Sequence, residues 1–141
     1  LNCCYPKLFI SLLVKWRISM YSKAILIFDL NKVLISRKSL TSEFRMRPFA
    51  IEFLQDISRW YNIAVWTSGK RKTVGNIIHE LFKCNNIPLQ FVWYQDKCTC
   101  IPQTDSPKPL LLKELSLVWN RYPFYDQTNT VIYTHLYFLS Y

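Results

Sequence analysis

Apolar residues are spaced in two rhythms along this chain. Ala24-Ile25-Leu26-Ile27-Phe28 is a short unbroken run bounded by Lys23 and Asp29. A run of that length without polar alternation suits a strand covered on both faces. Ile63-Ala64-Val65-Trp66, the stretch from Leu89 to Tyr94, and Thr130-Val131-Ile132-Tyr133 predict three more strands. Between them the spacing lengthens to three and four. From Pro48 onward, Ala50, Phe53, Leu54, Ile57, Trp60 and Tyr61 recur with Glu52, Asp56 and Arg59 in between, which predicts an amphipathic helix. Pro48 suits its first turn, where a missing N–H leaves no bond unmade. Val74, Ile77, Ile78, Leu81 and Phe82 predict a second helix, broken by Asn85-Asn86-Ile87-Pro88. Leu111, Leu115, Val118 and Trp119 predict a third. Residues 36–47 read as a loop or hairpin excursion, and 95–109 and 121–129 as loops.

Strands alternating with helices predict an α/β domain, a Rossmann-like three-layer arrangement around a mostly parallel sheet. Such sheets bind ligands beyond the carboxyl ends of their strands, and Asp29 and Thr67 both fall at predicted strand ends. A length of 141 residues fits one core, here assigned to 23–141, preceded by a leader at 1–22. That leader contains Lys7, Lys15 and Arg17, no acid, and the apolar run Leu8 to Val14. The run is far shorter than the ~20 residues of a membrane span. The leader reads as unstructured sequence or an upstream extension, or alternatively as a targeting peptide.

Half the residues are hydrophobic and 16% are aromatic, which points to a packed core rather than disorder. Two glycines in the whole chain exclude a glycine-rich phosphate loop. The net charge of +9 attracts anionic partners. The bases are scattered, with small clusters at Arg37-Lys38, Arg45/Arg47 and Lys70-Arg71-Lys72, so nucleic acid is not an expected partner. Cys3, Cys4, Cys84, Cys98 and Cys100 have neither zinc spacing nor the regularity of a disulfide scaffold, and read as reduced thiols.

An aspartate just past a buried strand can attack phosphorus, provided that donors or a cation neutralise the charge. A hydroxyl at the next strand end and a lysine can hold phosphoryl oxygens. A second carboxylate would protonate the leaving oxygen, and others would hold Mg²⁺. The motifs follow that order. IFDLNKVLISR (27–37) resembles the Asp-x-Asp-x-Thr/Val motif of the CTD-small-phosphatase, or NLI-interacting-factor, family of haloacid-dehalogenase-type phosphatases. RPFAIEFLQDISRWYNIAVWTSG (47–69) resembles that family's Arg-Pro-led helix and the strand ending in Thr-x-Ser. WYQDKCT (93–99), LLKEL (111–115) and NTVIY (129–133) resemble its later segments. The likeness covers about 110 residues.

The resemblance implies a phosphoserine/phosphothreonine protein phosphatase with Asp29 as nucleophile. It places Thr67, Ser68 and Lys113 on the phosphate, and Mg²⁺ on Asp29 and the backbone carbonyl of Asn31. Asn31 stands where the family has its general acid, and a carboxamide cannot donate that proton. Thr134-His135 stand where the family has Asp-Asp, a poor magnesium site. The expectation is therefore a weakly active or inactive phosphatase-like domain acting on a phosphoprotein or peptide. Its C-terminal part is expected to be incomplete, with the native gene continuing into the acidic motif. The alternative is a non-catalytic binding component, such as a mitochondrial inner-membrane import receptor with translocase subunits as partners. An intracellular location follows from either reading, nucleus or mitochondrion.

Overall fold

The computed structural model describes residues 23–37, 44–104 and 106–135. The leader at 1–22 and the apolar ending at 136–141 lie outside them. The elements run β1 (Ile25–Phe28), β2 (Ile35–Arg37), β3 (Phe44–Met46), α1 (Ala50–Ile57), β4 (Asn62–Trp66), α2 (Arg71–Ile78), β5 (Val92–Trp93), β6 (Thr99–Ile101), β7 (Leu110–Leu112), α3 (Leu115–Arg121) and β8 (Thr130–Tyr133). Four strands form one all-parallel sheet in the order β5-β4-β1-β8, with β1 in the middle. Two hairpins, β2–β3 and β6–β7, stand apart from it.

Alternate residues of β1 and β4 serve opposite faces, as the two-residue period of a strand requires. Leu26, Phe28, Ile63 and Val65 pack with Leu54 of α1 and Val74, Ile77 and Ile78 of α2. Ile25, Ile27, Ala64 and Trp66 pack on the other side with Phe91, Val118 of α3 and Tyr125. Helices on both faces make three layers and explain why β1 has no polar residue. The α/β class and the parallel sheet are therefore as the sequence predicts.

Several elements differ in extent. The first helix begins at Ala50 rather than Pro48, because Phe49 takes a left-handed conformation (φ 60°) at its N-cap. It ends after eight residues, so Trp60 and Tyr61 lie beyond it and are exposed. Phe53 is half exposed and meets Phe28 edge-on, with ring centroids 6.2 Å apart. The second helix continues through one π-helical turn, His79–Lys83, which keeps Leu81 and Phe82 in the core. The Asn85 side chain closes it by donating to the carbonyls of Glu80 and Leu81, at 2.9 and 3.0 Å.

Leu111 belongs to β7, not to the third helix, and pairs with Cys100 in a hairpin within the expected loop. The strand expected over 89–94 shortens to Val92–Trp93. Its flanks still bond to β4: Gln90 N–H donates to the Ile63 carbonyl (2.7 Å), and the Phe91 carbonyl accepts from Val65 N–H (3.1 Å).

Candidate active site

β1 ends one residue before Asp29, so its side chain leaves the sheet at the carboxyl edge. The Asp29 N–H donates to the Tyr133 carbonyl at 2.8 Å, which ties the exit from β1 to β8. The chain then turns sharply. The N–H groups of Leu34 and Ile35 both donate to the Leu30 carbonyl at 3.0 Å, and Lys32 adopts φ 63°. A left-handed residue with a side chain costs roughly 1–2 kcal/mol. Arg47 helps hold it there, since its guanidinium donates to the Lys32 carbonyl at 2.6 Å.

The Asp29 carboxylate is buried and held from three directions. Oδ1 accepts from the Leu30 N–H at 2.7 Å. Oδ2 lies 2.6 Å from Lys113 Nζ and 3.4 Å from the Thr134 hydroxyl, a weaker donor at that length. The side chains of Lys113 and Asp29 are 8% and 11% exposed. Lys113 arrives from the short stretch between β7 and α3. The contact is a close ion pair, yet its ammonium makes no well-directed hydrogen bond among the described residues. Asp29 occupies one side of the ammonium, and its other donors remain available to an anion entering the site.

Thr67 follows β4, the neighbour of β1, and is fully buried. Its N–H donates to the Trp93 carbonyl (2.9 Å) and its Oγ1 accepts from the Gly69 N–H (3.1 Å). The hydroxyl hydrogen is left to donate. A Cβ on Gly69 would stand 2.8 Å from Val74 Cγ1, so this turn has no room for a side chain. Neither Thr67 nor Ser68 caps α2, whose N-cap is Lys70 without a side-chain bond. The fold thus brings Asp29 and Lys113 into contact and sets Thr67 and Ser68 at the adjoining strand end, without a hydrogen bond to Asp29. Asn31 is half-buried on the same turn, and its Oδ1 is buried without a partner among the described residues.

Four contributors are not singled out by the sequence. Arg47 is visible there only as half of an Arg-Pro pair, and Thr134 only as a missing acid. Cys98 is visible only within the WYQDKCT segment, and Trp66 only as the end of an apolar run. Burial pushes the Cys98 thiol up from its ordinary pKa, while the Trp66 indole and Lys113 pull it back. Trp66 Nε1 is buried without a hydrogen-bond partner of good geometry, and its neighbour is this sulfur, a weak acceptor. Beside these residues lies a cavity of about 550 Å³, lined by Lys70, Arg71, Tyr94, Gln95, Asp96, Cys98, Cys100 and Leu111.

The donor set does not fit a resident Mg²⁺. Such an ion wants one or two free carboxylates in near-octahedral geometry. Asp29 is already paired with an ammonium, and Thr134 and His135 follow β8. Asn31 offers an amide oxygen and a backbone carbonyl, both neutral. No group of three or more His, Cys, Asp or Glu among the described residues could hold a metal. Nor is any helix among them long and apolar enough to cross a membrane.

The family model for NLI interacting factor-like phosphatases matches residues 24–133. The chain belongs to that family. It is 26% identical over 115 residues to the ubiquitin-like domain-containing CTD phosphatase 1 of Xenopus laevis, covering 79% of this chain and 36% of that protein. The proteins of the same name from Danio rerio and Homo sapiens are 27% and 25% identical over the same span. The chain thus spans about a third of the length of these relatives. Among solved structures, fission yeast RNA polymerase II CTD phosphatase Fcp1 bound to beryllium fluoride superposes with a TM-score of 0.56 at 16% identity, covering 89% of this chain and 40% of that one. A second Fcp1 structure gives the same TM-score at 14% identity, covering 88% and 40%. At these identities the structures bear on the fold alone, a haloacid-dehalogenase-like α/β domain.

Proposed function

We propose that this domain binds the phosphorylated serine or threonine of a protein at Asp29, Thr67 and Lys113, and turns it over slowly. The observation that carries this reading is the buried Lys113 ammonium, 2.6 Å from Asp29 Oδ2 and without a further hydrogen-bond partner among the described residues. A phosphoryl group entering beside Asp29 would take charge-assisted bonds from that ammonium and a bond from the Thr67 hydroxyl.

The same geometry limits the chemistry. Attack by Asp29 Oδ2 would form an oxygen–phosphorus bond and break the bond to the serine oxygen. The departing alkoxide then needs a proton. The Asn31 carboxamide has no proton to give, and general acid help is worth roughly 10²–10⁴ in rate. The second step, hydrolysis of the acyl phosphate, lacks a base at that position too.

The test is the dependence on the leaving group. Asn31→Asp is expected to raise turnover of a phosphoserine peptide by about 10² or more, and of an aryl phosphate much less, because a phenolate leaves with little acid help. In parallel, Lys113→Met combined with Thr67→Val should abolish binding of the phosphopeptide, followed by fluorescence anisotropy. Undiminished binding in that double variant would overturn the assignment of the site.

A further inference from the structure

We propose that the cavity beside Asp29 and Lys113 is a second anion subsite, which takes a carboxylate or second phosphate on the same phosphorylated peptide. This rests on the reading of Asp29, Thr67 and Lys113 as the phosphoryl site, and it adds the ligand class: peptides that are acidic or doubly phosphorylated.

Three observations place the two sites together. Leu111 in the cavity wall is two residues from Lys113, and Lys70 is three residues from Thr67. Gln95, also in the wall, donates its N–H to the Gly69 carbonyl at 3.1 Å, in the turn that follows Thr67. Cys98 lines the cavity and lies within electrostatic reach of both Asp29 and Lys113. An extended peptide advances about 3.3–3.6 Å per residue, so groups one to three residues from the phosphorylated position sample the space roughly 3–11 Å around it.

The charge on the walls selects the ligand. The Arg71 guanidinium stacks on the Tyr94 ring, 4.7 Å from its centroid, which fixes the cation without neutralising it. Neither Lys70 nor Arg71 forms an ion pair or side-chain hydrogen bond with the described residues. Lys70 is the N-cap of α2 and Arg71 its first residue, and the first turn has no acid and no capping side chain, so the helix end adds to the positive field. Asp96 is the one acid in the wall, against these two cations. The net charge favours an anion, and a planar guanidinium suits two oxygens of a carboxylate or phosphate.

The test uses synthetic phosphoserine peptides and the 141-residue chain. One peptide has alanine at the three positions on either side of the phosphoserine. Others carry a single glutamate or a second phosphoserine at each of those positions. At least one acidic peptide is expected to bind about tenfold more tightly than the alanine peptide. Lys70→Gln with Arg71→Gln should erase that gain, while the alanine peptide weakens far less. A gain from phosphoserine alone would identify a second phosphate as the ligand. Equal gains from glutamate would identify charge of either kind. Equal affinity across the series, or a gain that survives the double variant, would overturn the subsite while the phosphoryl site stands. Failure of every peptide to bind would overturn both.

Discussion

At the scale of single residues, the Asp29–Lys113 pair is asymmetric. Without Lys113, Asp29 keeps its bond from the Leu30 N–H at 2.7 Å and the weaker one from Thr134. Without the Asp29 charge, Lys113 keeps an ammonium that is 8% exposed, with no well-directed hydrogen bond among the described residues. Stranding a buried charge costs roughly 3–5 kcal/mol. Asp29→Asn should therefore destabilise the fold by about 3 kcal/mol in urea unfolding, and Lys113→Met by about 1 kcal/mol. The double variant should recover most of the loss, and the opposite order of the two single variants would contradict this account. Asp29 and Thr67 are legible in the sequence because a buried apolar run stops at each of them. Lys113 is not legible from spacing. Nothing along the stretch between it and Asp29 says that they meet, and only a family resemblance marks it. Arg47 bonds to a backbone carbonyl, which has no identity in a sequence, and so its role as a brace emerges only from the geometry.

At the scale of elements, the chain's two glycines have opposite roles. Gly69 closes the turn after β4, where a Cβ would press on Val74 at 2.8 and 3.3 Å and on the Thr67 hydroxyl at 3.4 Å. Gly75 lies inside α2, where an added Cβ would meet nothing within 4 Å. Gly69→Ala should lose roughly 1–3 kcal/mol through overpacking next to the site. Gly75→Ala should gain about 0.5–1 kcal/mol, because glycine is a poor helix former. Thermal unfolding of the two variants would report shifts of opposite sign; a gain at Gly69 would show that Val74 yields freely. The element boundaries show where reading by period fails. Trp60 and Tyr61 continue the helical spacing of α1 on paper, but the helix ends at Ile57. Leu111 keeps step with Leu115 and yet pairs as a strand with Cys100. In both cases apolar spacing extends past the point where backbone pairing changes, and spacing alone carries no sign of that change.

At the scale of the molecule, the three layers follow from the unbroken apolar runs of β1 and β4, and no part of the sequence is more informative. The net charge of +9 is informative only about sign. The structure adds a location, with two cations that form no ion pair among the described residues in the wall of a cavity next to a buried site. Charges at a rim act mostly before contact, by bending the paths of approaching partners. Part of the affinity that Lys70 and Arg71 confer should thus appear in the association rate. Stopped-flow measurements with an acidic phosphopeptide should show that rate falling steeply between low and physiological salt, with dissociation nearly constant; a salt effect confined to dissociation would count against steering. The Arg71 guanidinium resting on Tyr94 then has a meaning in time as well as in strength. Among competing phosphoproteins at equal concentration, it gives the acidic ones more frequent encounters, and where dissociation is alike the occupancy of the site follows that frequency.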